Sequence, residues 1–154
     1  MSGEIDLPAG DLLPQKGEMC LLGRVLYADD ERLVATAMFS EGSLFCRNGE
    51  VGSWVSLECM AQAVAAWAGY QGRTRGVAPR IGFLLGSSRF DCRSSCIRPG
   101  KTLRIEVTKE IQMDDGLGQF TGRTYQDEEL LASAVITVIS PEDPSSIIAS
   151  ASND

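Results

Sequence analysis

The sequence contains no histidine. Histidine is the side chain whose ordinary titration lies near neutral pH, so its absence excludes a Ser-His-Asp triad, a Cys-His pair and proton transfer by an imidazole of this chain. Acid–base chemistry here must come from carboxylates, thiols, lysine, tyrosine or bound water. Cysteine is sparse: Cys20, Cys46, Cys59, Cys92 and Cys96 form no CxxC pair. An odd set without a secretory signal is expected to be reduced thiols, mostly filling the core. Cys92 and Cys96 stand close together, but no histidine exists to complete a ligand set, so no metal is expected, and no cofactor is called for. Apolar runs are short and interrupted, which argues against a membrane span. The opening MSGEIDLPAG lacks a basic-then-apolar signal pattern, so the expected location is cytoplasmic.

The chain has 154 residues, 44% of them hydrophobic, which suits one domain with a proper core. Its charge is uneven. The net charge is −7, yet Arg73, Arg75, Arg80, Arg89, Arg93, Arg98, Lys101 and Arg104 share their segment with one acid, Asp91, leaving that segment at +7 and the remainder at −14. Such a stretch is either an ordinary solvated face or a docking surface for an acidic partner or a phosphate-bearing ligand. Nucleic acid is not expected, because aromatic residues do not interleave with the arginines and the pI is about 4.6.

The chain is organised around Ser53 to Gly69, SWVSLECMAQAVAAWAG. Trp54, Leu57, Ala61, Val64, Ala65 and Ala68 recur at helical spacing. Six of the nine residues from Ala61 to Gly69 are Ala or Gly, so the helix is thin enough for a sheet to wrap closely around it. Glu58 stands out among apolar and small neighbours. A carboxylate there either points to solvent from a partly exposed first turn or has a task.

The first dozen residues are expected to be a loosely docked lead-in, followed by a loop, Leu12 to Met19, containing Pro14 and Gly17. Cys20 to Ala28 and Leu33 to Phe39 predict a strand hairpin around the polar turn Asp29-Asp30-Glu31. Ser40 to Gly52 is expected to be an irregular link and Gln71 to Pro79 a basic loop. Arg80 to Leu85 predicts a strand continuing through Phe90, with Gly86 marking a bulge or close backbone approach. Thr102 to Met113 alternates apolar and polar residues, the pattern of a strand with one buried face. Asp114-Asp115-Gly116 is a hairpin turn, Leu117 to Tyr125 pairs back, and Leu130 to Ser140 forms the last strand. The order predicts an α+β domain over residues 1–143, a hairpin, a helix and a four-strand antiparallel meander, with a tail over 144–154.

With these residues in hand, the chain resembles the hotdog fold, an antiparallel sheet wrapped around one long central helix. More narrowly, it is similar to the (3R)-hydroxyacyl-acyl-carrier-protein dehydratases, above all their accessory relatives in aryl-polyene biosynthesis clusters. LLPQKGEMCLLGRVL, WVSLECMAQAVAAWAG, GFLLG and RPGKTLRIEV carry the likeness, in that order along the chain. The resemblance implies that Glu58 is the catalytic acid, that Gln62 is the motif glutamine, and that Gln15 stands where the family has a histidine supplied to the other subunit's site. It implies substrate-binding roles for Gln62, Ser53 and Gly86. Gly52-Ser53, where the family has Pro-Gly, would keep backbone N–H groups for a thioester carbonyl. Arg73, Arg75, Arg80, Arg89 and Arg93 would dock an acyl carrier protein or acyl thioester.

The departure at Gln15 has a chemical consequence. Glutamine forms hydrogen bonds but cannot exchange a proton at neutral pH, and losing one general acid–base group costs on the order of 10²–10⁴ in rate. Three readings follow from it. The chain acts on β-hydroxyacyl thioesters as a homodimer, or as a heterodimer with a histidine-bearing paralogue. It is a hotdog acyl thioesterase using Glu58 with a nearby amide. Or it is a non-catalytic subunit of a dehydratase heterocomplex.

Overall fold

The computed structural model describes residues 3–14, 16–74, 76, 83–113 and 116–139, with 83–85 as backbone only. Strands β1 (Glu4–Pro8), β2 (Leu22–Ala28) and β3 (Arg32–Met38) precede two short strands, β4 (Cys46–Arg47) and β5 (Glu50–Gly52). Helix α1 (Val55–Thr74) follows, then β6 (Phe83–Cys92), β7 (Cys96–Ile97), β8 (Thr102–Gln112), β9 (Leu117–Gln126) and β10 (Glu129–Ile139). Seven strands form an antiparallel sheet in the order β1-β2-β3-β8-β9-β10-β6, and β4-β5-β7 form a small second sheet. One long helix against a large antiparallel sheet is the hotdog architecture.

Alternation builds the sheet's inner face. Leu103, Ile105 and Val107 of β8 are fully buried while Arg104, Glu106 and Thr108 are half-buried on the other side. Across the ladder, Val107 faces Gly122, which faces Ala134. This small-residue row is what admits the helix: a Cβ at Gly122 would lie 2.8 Å from Met60 Sδ. At the other end Trp67 packs edge-on against Phe120, ring centroids 5.3 Å apart, and its Nε1 donates to Asp29 O at 2.9 Å. The Asp29 carboxylate organises the β2–β3 turn, accepting from Tyr27 Oη, Glu31 N and Arg32 N. Burial pushes that carboxyl up, but these three donors outweigh it and hold it below its usual range.

Several expectations are corrected. The lead-in is ordered: β1 pairs with β2, and Ala9, Leu12 and Leu13 are buried. Gly69 makes this possible, since a Cβ there would meet Leu12 O at 2.1 Å, so the chain crosses the helix where no side chain stands. The link before the helix contains the β4–β5 hairpin, whose turn residues Asn48 and Gly49 both have positive φ, the Asn-Gly signal of a tight hairpin. Helix α1 runs five residues past Gly69. The four final strands are not a simple meander. β8, β9 and β10 are, but β6 sits beyond β10 at the sheet edge, and β8 pairs with β3.

The expected bulge near Gly86 is present. Thr137 pairs with Gly86 and Val138 with Leu84, leaving Leu85 as the extra residue, and a second irregularity brackets Arg89, at φ 53. Asp114-Asp115 of the expected turn and the expected tail over 144–154 lie outside the described residues. No helix among the described residues is long and apolar enough to cross a membrane.

Candidate active site

Along helix α1, Val55, Ser56, Cys59, Met60, Ala63 and Ala66 are fully buried, and Met60 and Trp67 meet the sheet at Gly122 and Phe120. The periodic set identified from sequence lies largely elsewhere: Leu57, Ala61, Ala65 and Ala68 are half-buried and Trp54 is 62% exposed. The helix therefore shows a narrow stripe of small apolar residues away from its own sheet. Glu58 is half-buried beside that stripe, one turn after Trp54 and one turn before Gln62.

Gln62 holds Glu58 in place. Its Nε2 donates to Glu58 Oε1 at 3.2 Å and to Met19 O at 2.7 Å, while its Oε1 accepts from Leu21 N at 2.8 Å. The buried amide thus ties the helix to the segment leading into β2 and steadies one carboxylate oxygen. Its neighbour Cys59 is fully buried, and burial, reinforced by the Glu58 charge, pushes its thiol up to about 12. That thiol is no nucleophile. Glu58 is the acid–base group this stretch offers.

At the start of the helix, Ser53 is buried and knitted to the β6–β7 connection. Its Oγ donates to Ser94 O, its N–H to Ser95 O at 3.2 Å, and its carbonyl accepts from both Ser56 N and Ser56 Oγ. The Ser53 N–H, expected to be available to a thioester carbonyl, is engaged within the protein. Trp54 stands exposed here, edge-on to Phe45 at 6.0 Å, with exposed Leu44 adjoining Phe45 in the chain. Trp54 belongs to the periodic apolar set of the helix, yet it stands on the rim because it precedes the first helical turn. Gly86 lies on β6 with open space where a Cβ would stand.

The structure disperses the basic residues. Arg73 is at the far end of α1, about 22 Å along the axis from Glu58 at 1.5 Å per residue. Arg89 and Arg93 are exposed on and just after β6, and Arg93 adjoins Ser94, close to the helix start. Arg98, Lys101 and Arg104 are engaged with Asp127 and Glu128. Between Arg93, Ser94 and Arg98 on one side and the β9–β10 turn on the other lies a cleft of about 370 Å³. Gln15, Arg75 and Arg80 lie outside the described residues. No His, Cys, Asp and Glu group fit to hold a metal occurs among the described residues.

Comparison with known proteins agrees with the fold. In the dehydratase heterocomplex ApeI:P from Xenorhabdus doucetiae, a chain superimposes with a TM-score of 0.86 at 26% identity, over 92% of this chain and 95% of that one. A hypothetical thioesterase from Streptococcus pneumoniae, solved with coenzyme A, matches at TM-score 0.59 and 14% identity, covering 75% of this chain and 83% of its own. The smu.793 protein from Streptococcus mutans, bound to acetyl CoA, matches at 0.59 and 13%, covering 75% and 86%. At these identities the last two show the shared fold. No curated protein matches the sequence. The family model described as ApeP dehydratase matches residues 7–149, and the chain belongs to the ApeP-like dehydratase family.

Proposed function

We propose that this chain is the histidine-lacking subunit of a two-chain dehydratase acting on 3-hydroxyacyl thioesters, in which Glu58 supplies one half of the acid–base pair and a histidine-bearing paralogue the other. The observation that carries the reading is the Glu58–Gln62 pair, a carboxylate positioned beside a half-covered apolar stripe. A side chain held this way has limited freedom, which is the condition for proton transfer at a defined atom. The ApeI:P heterocomplex, to which this chain is similar over nearly its whole length, supports a two-chain assembly.

In this reading the partner's base removes the C2 proton of the substrate. The electron pair forms the C2–C3 double bond, and the C3–O bond breaks as Glu58 protonates the departing hydroxyl, which leaves as water. Gln62 acts as a positioning residue, because its amide is occupied by Glu58, Met19 and Leu21. Gln15 takes the histidine's place in this chain and leaves the reciprocal site without a base. One productive site per heterodimer is the result.

The test follows conversion of a 3-hydroxyacyl pantetheine thioester to the 2-enoyl product, by the chain alone and by its complex with a histidine-bearing paralogue. The complex is expected to be active and the chain alone nearly silent. Glu58→Gln in the complex should lower the rate by about 10²–10⁴, and Gln15→His should give the isolated chain measurable activity. Full activity of the Glu58→Gln complex would instead make the chain a non-catalytic subunit, and release of free acid and thiol would make it a thioesterase.

A further inference from the structure

The far end of β8 departs from its own alternation. Lys109 opposes Phe120 and reaches inward, its Nζ 5.5 Å from the centroid of the Trp67 ring. Ile111 opposes Gln119, so Glu110 and Ile111 together answer a single residue of β9. Such a bulge turns both side chains to the same side of the sheet, here the outer one. Glu110 Oε1 accepts from Thr121 Oγ1 at 2.9 Å. Ile111, which the alternation of the strand assigns to the buried face, is 55% exposed.

Met113 follows on that side. Its N–H donates to Leu117 O at 2.8 Å, and Leu117 pairs with Ile139. Phe120 and Ile136 point into the core. Leu117 and Ile139, an odd number of positions from them in an unbroken register, stand on the opposite face. Met113, Leu117 and Ile139 thus form an apolar row across β8, β9 and β10, with Ile111 beside it. Met113 is 53% exposed. The middle of the same outer face carries the Arg32–Glu106–Arg104 ion pairs, so the row is a local apolar patch at the end of a polar surface, the kind that marks a contact site.

We propose that the segment following β10 folds back over this row, with Ile147 and Ile148 packed on Met113 and Ile111. The chain leaves β10 at Ile139, which is itself a member of the row. Within residues 140–149, SPEDPSSIIA, Ile147 and Ile148 are the large apolar side chains. Pro141 and Pro144 have no N–H with which to lengthen the β10 ladder, which favours a change of direction after Ile139. The family match extends to residue 149, well past the end of β10, so this stretch belongs to the shared domain. Its reach suffices. An extended chain from Ile139 to Ile147 spans up to about 28 Å, and Met113 lies two strands away, about 10 Å. The inference is independent of the chemistry at Glu58.

The test is methyl nuclear magnetic resonance on the full chain. Contacts between the Met113 ε-methyl and the Ile147 or Ile148 δ-methyls are expected within one copy. Their absence, with Ile147 and Ile148 shifts equal to those of a free peptide of residues 140–149, overturns the proposal. A contact seen only between labelled and unlabelled copies also overturns it, because the row then receives a second copy of the chain. A urea series gives a separate reading. Met113→Ser should lower the midpoint of the wild type but leave an Ile147→Ser/Ile148→Ser background unchanged, since residues in contact are not additive. Equal shifts in the two backgrounds would show that Met113 and the segment do not touch.

Discussion

At the scale of single residues, Glu58 was legible because it is chemically out of place in an apolar helix. Gln62 was legible only as part of a family motif, since its partners Met19 and Leu21 lie more than forty positions away. Cys59, between them in sequence, supports a pH prediction. Its folded value is pushed from 9.0 to about 12, so between those limits the folded chain keeps a proton that the unfolded chain releases. The stability associated with the neutral thiol is therefore full below pH 9 and is lost as pH rises toward 12, by at most about 1.4 kcal/mol per unit. Urea midpoints measured from pH 8 to 10.5 should fall for wild type and fall less steeply for Cys59→Ala. Identical slopes would mean that the thiol ionises in the folded state.

Among the elements, regular strands and the helix were readable from period alone, and the exceptions are informative. The β4–β5 hairpin was missed although Asn48-Gly49 announces it, because two strands of two and three residues carry too little alternation to register. The β9–β10 turn was expected, but not its conformation. Asp127 and Glu128 both take positive φ, the geometry that Asn-Gly adopts at least cost. Their carboxylates meet Arg98, Lys101 and Arg104, exposed pairs that each contribute little. Glu128→Gly should accordingly raise stability by about 0.5–1 kcal/mol, read as a higher denaturation midpoint at unchanged slope. A lower midpoint would show that the Arg104–Glu128 contact outweighs the backbone strain.

For the whole molecule, the distribution of cover around α1 matters most. Its own sheet buries one side, while Leu57, Ala61, Ala65 and Ala68 stay half-buried and Trp54 and Met19 are 62% and 54% exposed. The stripe is narrow, apolar and next to Glu58, which on the proposed reading is where the paralogue's base arrives. Trp67 is buried against Phe120, so a change in tryptophan emission on complex formation reports on Trp54. Addition of the paralogue should shift that emission to the blue. Trp54→Ala should weaken the complex by about tenfold or more, as truncating a buried aromatic anchor does, while leaving the far-ultraviolet circular dichroism of the chain intact. Unchanged emission with a stable complex would place the interface elsewhere.

The sequence by itself determined the central helix, most strands, the singular carboxylate and the lack of an imidazole. These follow from local periodicity and from the chemical inventory, which need no knowledge of neighbours in space. Only the tertiary structure decided the sheet order, the ordered N-terminal strand, the passage of Leu12 over Gly69, the side of the helix left open and the three-way engagement of Gln62. Each depends on contacts between distant segments, where burial and hydrogen bonding reward an arrangement that local pattern does not encode. The basic segment shows both limits: its charge is evident along the chain, but its division between Arg73, Arg93 and the Asp127 pairs exists only once the strands are laid side by side.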